Sequence, residues 1–215
     1  MTFTDPPLDL SDWPDLLRAL VARGDIRRYR KSTLLIQEGD LGDTLFIIIS
    51  GRLKAFSIGD RDREITYGVY GRGEYLGEMS LDGGPRSASV ITLEASVCAV
   101  VTRRTLEAFV AEHPAFAFEL LAKVIRRARS ATVNARQLAL NDVYGRLKSL
   151  LESLAVEQPG GPRILAEKLT HKEMASRLGC SREMVTRQLK DLENGEFIVM
   201  LDGRVALLRA LPARW

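Results

Sequence analysis

Two short stretches of this 215-residue chain bring together residue types that can do chemistry jointly. The first is Gly77-Glu78-Met79-Ser80-Leu81-Asp82-Gly83-Gly84-Pro85-Arg86-Ser87-Ala88. Its glycines let backbone approach a ligand, N–H groups at the turn can point at an anion, and Arg86 supplies a bidentate positive fork. A carboxylate beside a bound phosphate would repel it, so Glu78 makes sense as an acceptor for a sugar hydroxyl next to that phosphate. Taken alone, the same composition also suits a solvated hairpin. The second stretch is Gly179-Cys180-Ser181-Arg182-Glu183-Met184-Val185-Thr186-Arg187-Gln188-Leu189-Lys190. At helical spacing Val185, Leu189 and Leu192 share a buried face, while Arg182, Glu183, Thr186, Arg187 and Lys190 stand on another. Arginine can fork onto guanine O6 and N7, and glutamate can accept from cytosine N4. Such a mixed face suits base edges better than phosphates; the plainer alternative is a solvated face with Glu183 paired to Arg187.

These residues need elements to hold them. Between Ile26 and Thr102 glycines separate short apolar runs: Thr33–Ile36, Leu45–Ile49, Leu53–Ser57, Glu64–Val69, Ala88–Ile91 and Val97–Val101. That spacing predicts an antiparallel β-roll or barrel. From Arg104 onward the texture is helical. After Pro114 a stripe of Phe116, Leu120, Leu121, Val124, Ile125, Ala128, Ala131, Ala135 and Leu138 runs without glycine or proline. At 1.5 Å per residue it spans roughly 40 Å, more than one face of a small domain can cover, so a coiled-coil-like dimer seam is expected. A helix over Asp142–Ala155 and a loop at Gln158–Pro162 follow. Thr170 and Glu173 form a capping box, Gly179 marks a turn, and Ser181 caps a helix from Arg182 to Glu193. Phe197–Leu201 and Arg204–Leu208 flank the hairpin signal Asp202-Gly203. The expected class is α+β in three parts: a roll over 1–112 with short flanking helices, a long dimerisation helix over 113–140, and a winged helix-turn-helix over 141–215.

Composition closes off other classes. Hydrophobic residues make up 46% and charged residues 27% of the chain, which fits a globular fold. No apolar run is long enough to span a membrane, and Met1–Leu10 does not read as a secretory leader. Two cysteines, Cys98 and Cys180, leave no disulfide framework and no cysteine-built iron–sulfur or metal site, so a reducing cytoplasm is expected. His113 reads as solvated or capping, Cys98 as core, and Cys180 as packing beneath the second helix. With two histidines and no nucleophile elbow, enzymatic activity is not expected. A net charge of +3 decides nothing about nucleic acid by itself.

The first stretch, preceded by Tyr75-Leu76, resembles the phosphate-binding cassette of cyclic-nucleotide-binding domains, with a slightly shorter Gly77–Arg86 interval. Glu38-Gly39-Asp40 and Leu45–Gly51 resemble the early strands of the same domain. The second stretch closely resembles the recognition helix of the cyclic-AMP receptor (catabolite activator) and fumarate–nitrate regulator superfamily of bacterial transcription regulators. The resemblance implies that Arg86 holds a cyclic phosphate and Glu78 the ribose 2′-hydroxyl, with Gly77, Met79 and the N–H groups of Ser87 and Ala88 completing the cradle. It further implies that Arg127 closes onto Glu78 and that Thr132 meets the base from either subunit, with Ala131 beside it. On the DNA side Arg182, Glu183 and Arg187 face bases, with Thr186 and Lys190 on the same face, and Ser181 and His171 meet phosphates. A homodimer, an inverted-repeat TGTGA-like duplex site and RNA polymerase as partner are then expected, with no metal, haem or iron–sulfur cofactor. Cyclic AMP is the favoured effector. Cyclic GMP, a cyclic dinucleotide, no ligand, or a module acting on a protein partner stay open.

Overall fold

The computed structural model describes residues 10–60 and 63–214, so Met1–Leu10 lies outside them but for its last residue. It divides into two compact units. One takes the residues up to Ser57 with Tyr67–Ala128; the other takes Ile58–Thr66 and the residues from Arg129 onward.

The first unit opens with α1 (Asp15–Val21) and continues through β1 (Asp25–Tyr29), β2 (Leu34–Ile36), β3 (Thr44–Ser50) and β4 (Leu53–Ile58). β5 (Glu64–Tyr70), β6 (Tyr75–Leu76), β7 (Ser89–Thr92) and β8 (Ser96–Thr102) follow, then α2 (Arg103–Glu112) and the long α3 (Ala115–Leu140). Glu64–Thr66 of β5 and Arg129–Leu140 of α3 fall in the second unit. The strands form two four-stranded sheets, β1-β8-β3-β6 and β2-β7-β4-β5. β3 explains why Leu45–Ile49 reads as an unbroken apolar run. Leu45, Ile47 and Ile49 pack with Trp13, Leu20, Phe109 and Phe116, while Phe46 and Ile48 pack with Leu53, Leu76, Val90 and Cys98. Alternate side chains leave opposite faces of a strand, and here both faces meet a core. β8 does the same with Ala99 and Val101 against Cys98 and Val100. The edge strand β1 pairs only with β8, and its first four residues are exposed, which hides it from an apolar pattern.

The second unit carries α4 (Val143–Leu154), β9 (Ala155–Gln158), β10 (Gly161–Leu165), α5 (His171–Leu178), α6 (Arg182–Asn194), β11 (Ile198–Leu201) and β12 (Arg204–Leu207). Its core joins Leu147, Leu151, Met174, Leu178, Val185, Leu189, Leu192 and Val205. The expectation of a loop at Gln158–Pro162 needs correction. Pro159 and Gly160 turn a hairpin whose arms are β9 and β10, and Pro162 fits because the register is irregular between Gly161 and Ile164. The sheet order is β11-β12-β10-β9. Asp202 (φ 50°) and Gly203 (φ 75°) both adopt positive φ, as a type I′ turn requires. The tip of the β4–β5 hairpin also belongs to this unit: Ser176 Oγ donates to Glu64 Oε1 at 2.6 Å and lies 2.6 Å from Thr66 Oγ1.

α3 is one continuous helix of 26 residues. Phe116 is buried in the first core and Leu120 packs against it. Further along, Phe118, Leu121, Ile125, Val133, Leu138 and Leu140 are exposed. No helix among the described residues is long and apolar enough to cross a membrane.

Candidate functional site

Gly77 ends β6 with φ 98°, and the chain then makes a single 3-10 turn, Glu78–Ser80. A side chain at Gly77 would collide with the Thr44 carbonyl and stand 2.7 Å from Arg86 Nη1, so glycine is required there. Arg86 returns beneath the turn, only 7% exposed. Its Nη1 donates to the Gly77 carbonyl (3.0 Å) and to Ser80 Oγ (2.8 Å), and Nη2 donates to Thr44 Oγ1 (3.0 Å). A guanidinium has five N–H groups, so two remain: Nε–H and one N–H of Nη2. No group among the described residues takes them. Among the described residues no group takes the backbone N–H groups of Ser87 and Ala88 either. Burial lowers the Arg86 pKa, opposed by Asp43 and Glu78, yet an arginine stays charged at any relevant pH.

That free edge is kept clear by Gly42. A Cβ there would lie 2.8 Å from both Nε and Nη2. The result is two guanidinium donors and two backbone donors without an acceptor among the described residues, an arrangement that can receive an anion.

Glu78 stands beside it with its side chain 1% exposed. Arg127, from α3, donates through Nη1 to Glu78 Oε1 and through Nη2 to the Tyr75 carbonyl at 2.5 Å. The same guanidinium covers the Tyr70 ring, its carbon 4.8 Å from the ring centre. Lys123, one turn earlier, places Nζ 4.0 Å from the centre of the Tyr75 ring. Burial, then the neighbouring Glu78, pushes the Tyr75 hydroxyl up to about 12. Glu78 Oε2 is buried and has no hydrogen-bond partner among the described residues. A buried acceptor left empty costs about 1–3 kcal/mol, and a ligand hydroxyl would satisfy it. Met79 is half exposed at the rim, and Thr132 lies exposed on α3, five residues beyond Arg127.

The second candidate surface lies on α5 and α6. Thr170 Oγ1 accepts from the Glu173 N–H while Glu173 Oε2 accepts from the Thr170 N–H, closing a capping box. Gly179 takes φ 64° to turn the chain, and Ser181 Oγ accepts from the Met184 N–H to start α6. Val185, Leu189 and Leu192 are buried, which fixes the helix's rotation and leaves Arg182, Glu183, Thr186, Arg187 and Lys190 exposed. Among the described residues none of these charged four forms an ion pair, so the alternative of a Glu183–Arg187 pair fails. Hydrogen bonds from its own backbone N–H and from Ser181 hold the Glu183 carboxyl below its ordinary value. His171 Nδ1 lies 2.9 Å from Thr186 Oγ1.

Sequence reasoning named Gly77, Glu78, Arg86 and Arg127 but missed Thr44, Ser80 and Gly42, which hold or clear the arginine. Thr44 and Gly42 reach it across the fold, a relation no local spacing reports. Ser80 lay inside the quoted stretch, and its hydroxyl was the available signal. His113, read as solvated or capping, is the C-cap residue of α2, its backbone N–H donating to the Phe109 carbonyl and its ring 4.6 Å from that of Phe109. Burial pushes the Cys98 thiol up to about 12 and raises that of Cys180, with Arg146 opposing, so both are poor nucleophiles at neutral pH. Among the described residues no cluster of three or more metal-ligating side chains occurs.

Comparison with known proteins follows the same division. Residues 26–113 match the family model of the cyclic nucleotide-binding domain, and residues 145–210 match that of the Crp-like helix-turn-helix domain. The chain is 31% identical over 199 residues to the CRP-like cAMP-activated global transcriptional regulator of Mycobacterium tuberculosis, covering 91% of this chain and 88% of that one. It is 31% identical over 185 residues to the cyclic AMP receptor protein of Thermus thermophilus, covering 86% and 84%. Among solved structures, the c-di-GMP responsive global regulator CLP of Xanthomonas campestris superposes with a TM-score of 0.78 at 27% identity, covering 89% of this chain and 97% of that one.

Proposed function

The chain belongs to the cyclic-AMP receptor and fumarate–nitrate regulator superfamily of cyclic-nucleotide-responsive, DNA-binding transcription regulators, and we propose that within it cyclic AMP is the effector and a homodimer the active form. Arg86 with the Ser87 and Ala88 N–H groups holds the cyclic phosphate. Glu78 accepts the ribose 2′-hydroxyl, Gly77 and Met79 line the turn, and Arg127 closes the site. Thr132 reads the base, from either subunit. One observation carries the reading: Glu78 Oε2 is buried without a partner among the described residues, close enough to the buried Arg86 guanidinium for the two charges to interact. Anion and hydroxyl donor are wanted side by side, which is what a ribose cyclic phosphate offers. Relatives named a cAMP-activated regulator and a cyclic AMP receptor protein favour adenine as the base. A cyclic dinucleotide is the second reading, favoured by the likeness to the Xanthomonas regulator.

On the DNA side two copies of α6 enter major grooves one helical turn apart, about 34 Å, on an inverted repeat close to TGTGA. Arg182, Glu183 and Arg187 read bases, while Ser181, His171 and Lys190 hold the backbone. RNA polymerase is the protein partner and the cytoplasm the compartment.

The deciding experiment titrates cyclic AMP, cyclic GMP and cyclic di-GMP calorimetrically into wild type and Thr132→Ala, then repeats a gel shift with each. Cyclic AMP is expected to bind at least about tenfold tighter than the others, and Thr132→Ala to narrow that gap, since one buried unpaired hydrogen-bonding group costs about 1–3 kcal/mol. Tighter cyclic GMP or cyclic di-GMP binding would overturn the choice of effector, and an unchanged preference would remove Thr132 as reader.

Gly42 supplies a second check on the anchor. Gly42→Val puts carbon against the free edge of Arg86 and is expected to weaken nucleotide binding by about tenfold or more, the value of one charge-assisted hydrogen bond. Gly71→Ala, where a Cβ meets nothing within 4 Å, should leave binding unchanged. Equal affinities in both variants would mean that the anion does not use this edge.

A further inference from the structure

Thr186 is the one uncharged side chain on the exposed face of α6 that runs from Arg182 to Lys190 with the base-reading candidates. Its hydroxyl has a single proton, and that proton goes back to the Arg182 carbonyl at 2.9 Å. The hydroxyl also lies 2.9 Å from His171 Nδ1. With its own proton spent, the oxygen can only accept there, so His171 must bring the hydrogen on Nδ1. The ring is held in place by its position. His171 is the first residue of α5, directly after the N-cap Thr170 and inside the capping box that Thr170 forms with Glu173. Two hydrogen bonds therefore turn the polar end of Thr186 toward α5 and toward its own helix backbone. The end left uncommitted on this exposed residue is the methyl group.

From this geometry we infer that His171 makes Thr186 an apolar reader, which recognises the 5-methyl group of thymine in the major groove. The inference rests on the proposal that α6 enters that groove. Among the four bases only thymine presents a methyl there, and a threonine methyl is a suitable partner for it. Donating to a base acceptor through the hydroxyl would mean breaking its bond to the Arg182 carbonyl. The neighbours fit this division of labour. Arg182, Glu183 and Arg187 carry the charged donors and acceptors for guanine and cytosine, and Thr186 supplies the contact they cannot make. His171 is then a positioning residue for specificity, in addition to any contact of its ring with the DNA backbone.

The test uses the full-length protein with its effector and a duplex selected for tight binding by wild type, in which each thymine is replaced in turn by uracil, deleting one methyl and nothing else. At one position in each half-site, uracil is expected to weaken wild-type binding by about threefold to tenfold, the value of roughly one buried methyl per half-site. Thr186→Val keeps a methyl and should keep that penalty. Thr186→Ser keeps the hydroxyl but has no methyl, and should bind the thymine and uracil duplexes alike. His171→Ala releases the rotamer and should shrink the penalty while leaving the circular dichroism of the fold unchanged. A penalty that survives in Thr186→Ser, or wild-type binding that is selective yet indifferent to every uracil, overturns the inference. Absence of any sequence-selective binding by wild type overturns the DNA reading, and the inference with it.

Discussion

Arg86→Leu is expected to weaken cyclic-nucleotide binding by about a hundredfold or more, because two charge-assisted hydrogen bonds at about 1.5–3 kcal/mol each disappear and every 1.4 kcal/mol is tenfold. The same guanidinium also serves the fold, since it donates to the Gly77 carbonyl, Ser80 Oγ and Thr44 Oγ1. Leucine leaves those acceptors unmatched, so the variant should also melt at a lower temperature. Arg86→Lys separates the two roles. An ammonium keeps the charge and can satisfy some of the internal acceptors, but it cannot present a side-by-side pair of donors. Stability should be largely restored in Arg86→Lys while affinity stays at least about tenfold below wild type, one charge-assisted hydrogen bond short. Calorimetric titration and thermal melts on both variants make the measurement. Affinity within threefold of wild type in Arg86→Leu would mean that the phosphate is held elsewhere.

How far this site could be read in advance depended on whether its parts are near one another in sequence. Gly77, Glu78 and Arg86 lie within one turn of chain, and their types announce an anion next to a hydroxyl. Ser181 through Lys190 are local in the same way, because helical spacing alone separates the buried Val185 and Leu189 from the exposed Arg182 and Arg187. Thr44 and Gly42 could not be found by such means: they meet Arg86 only because β3 and the loop before it pass the cassette. The edge strand β1 was silent for a different reason. It buries almost nothing, so Arg27 and Arg28 carry no alternation to detect. Pro162 misled by its usual meaning, since a break in the ladder register admits a proline into β10. The Ser176–Glu64 hydrogen bond joins residues 112 positions apart and has no local signature at all.

The long helix shows what remains when local packing is accounted for. Phe116 and Leu120 spend their side chains on the first core, but Phe118 (73% exposed), Leu121 (52%) and Ile125 (42%) do not. With exposed Ala128, Thr132 and Ala135 they recur at alternating spacings of three and four, the period of a two-helix seam. In a two-fold dimer a residue near the axis faces its own copy, so one substitution acts twice. Ala128→Glu would bring two carboxylates together in a seam otherwise lined by apolar and small side chains, where each loses water and gains no counter-ion. Sedimentation should show monomers at concentrations where wild type is dimeric. Specific DNA binding should fall by several orders of magnitude, because a dimer sums two half-site free energies and a monomer has one. Ser130→Glu adds the same charge about 200° round the helix from Ala128, at 100° per residue, and should change neither property. A dimeric Ala128→Glu, or a wild type that sediments as a monomer with its effector and still binds an inverted repeat, would show that α3 is not the seam.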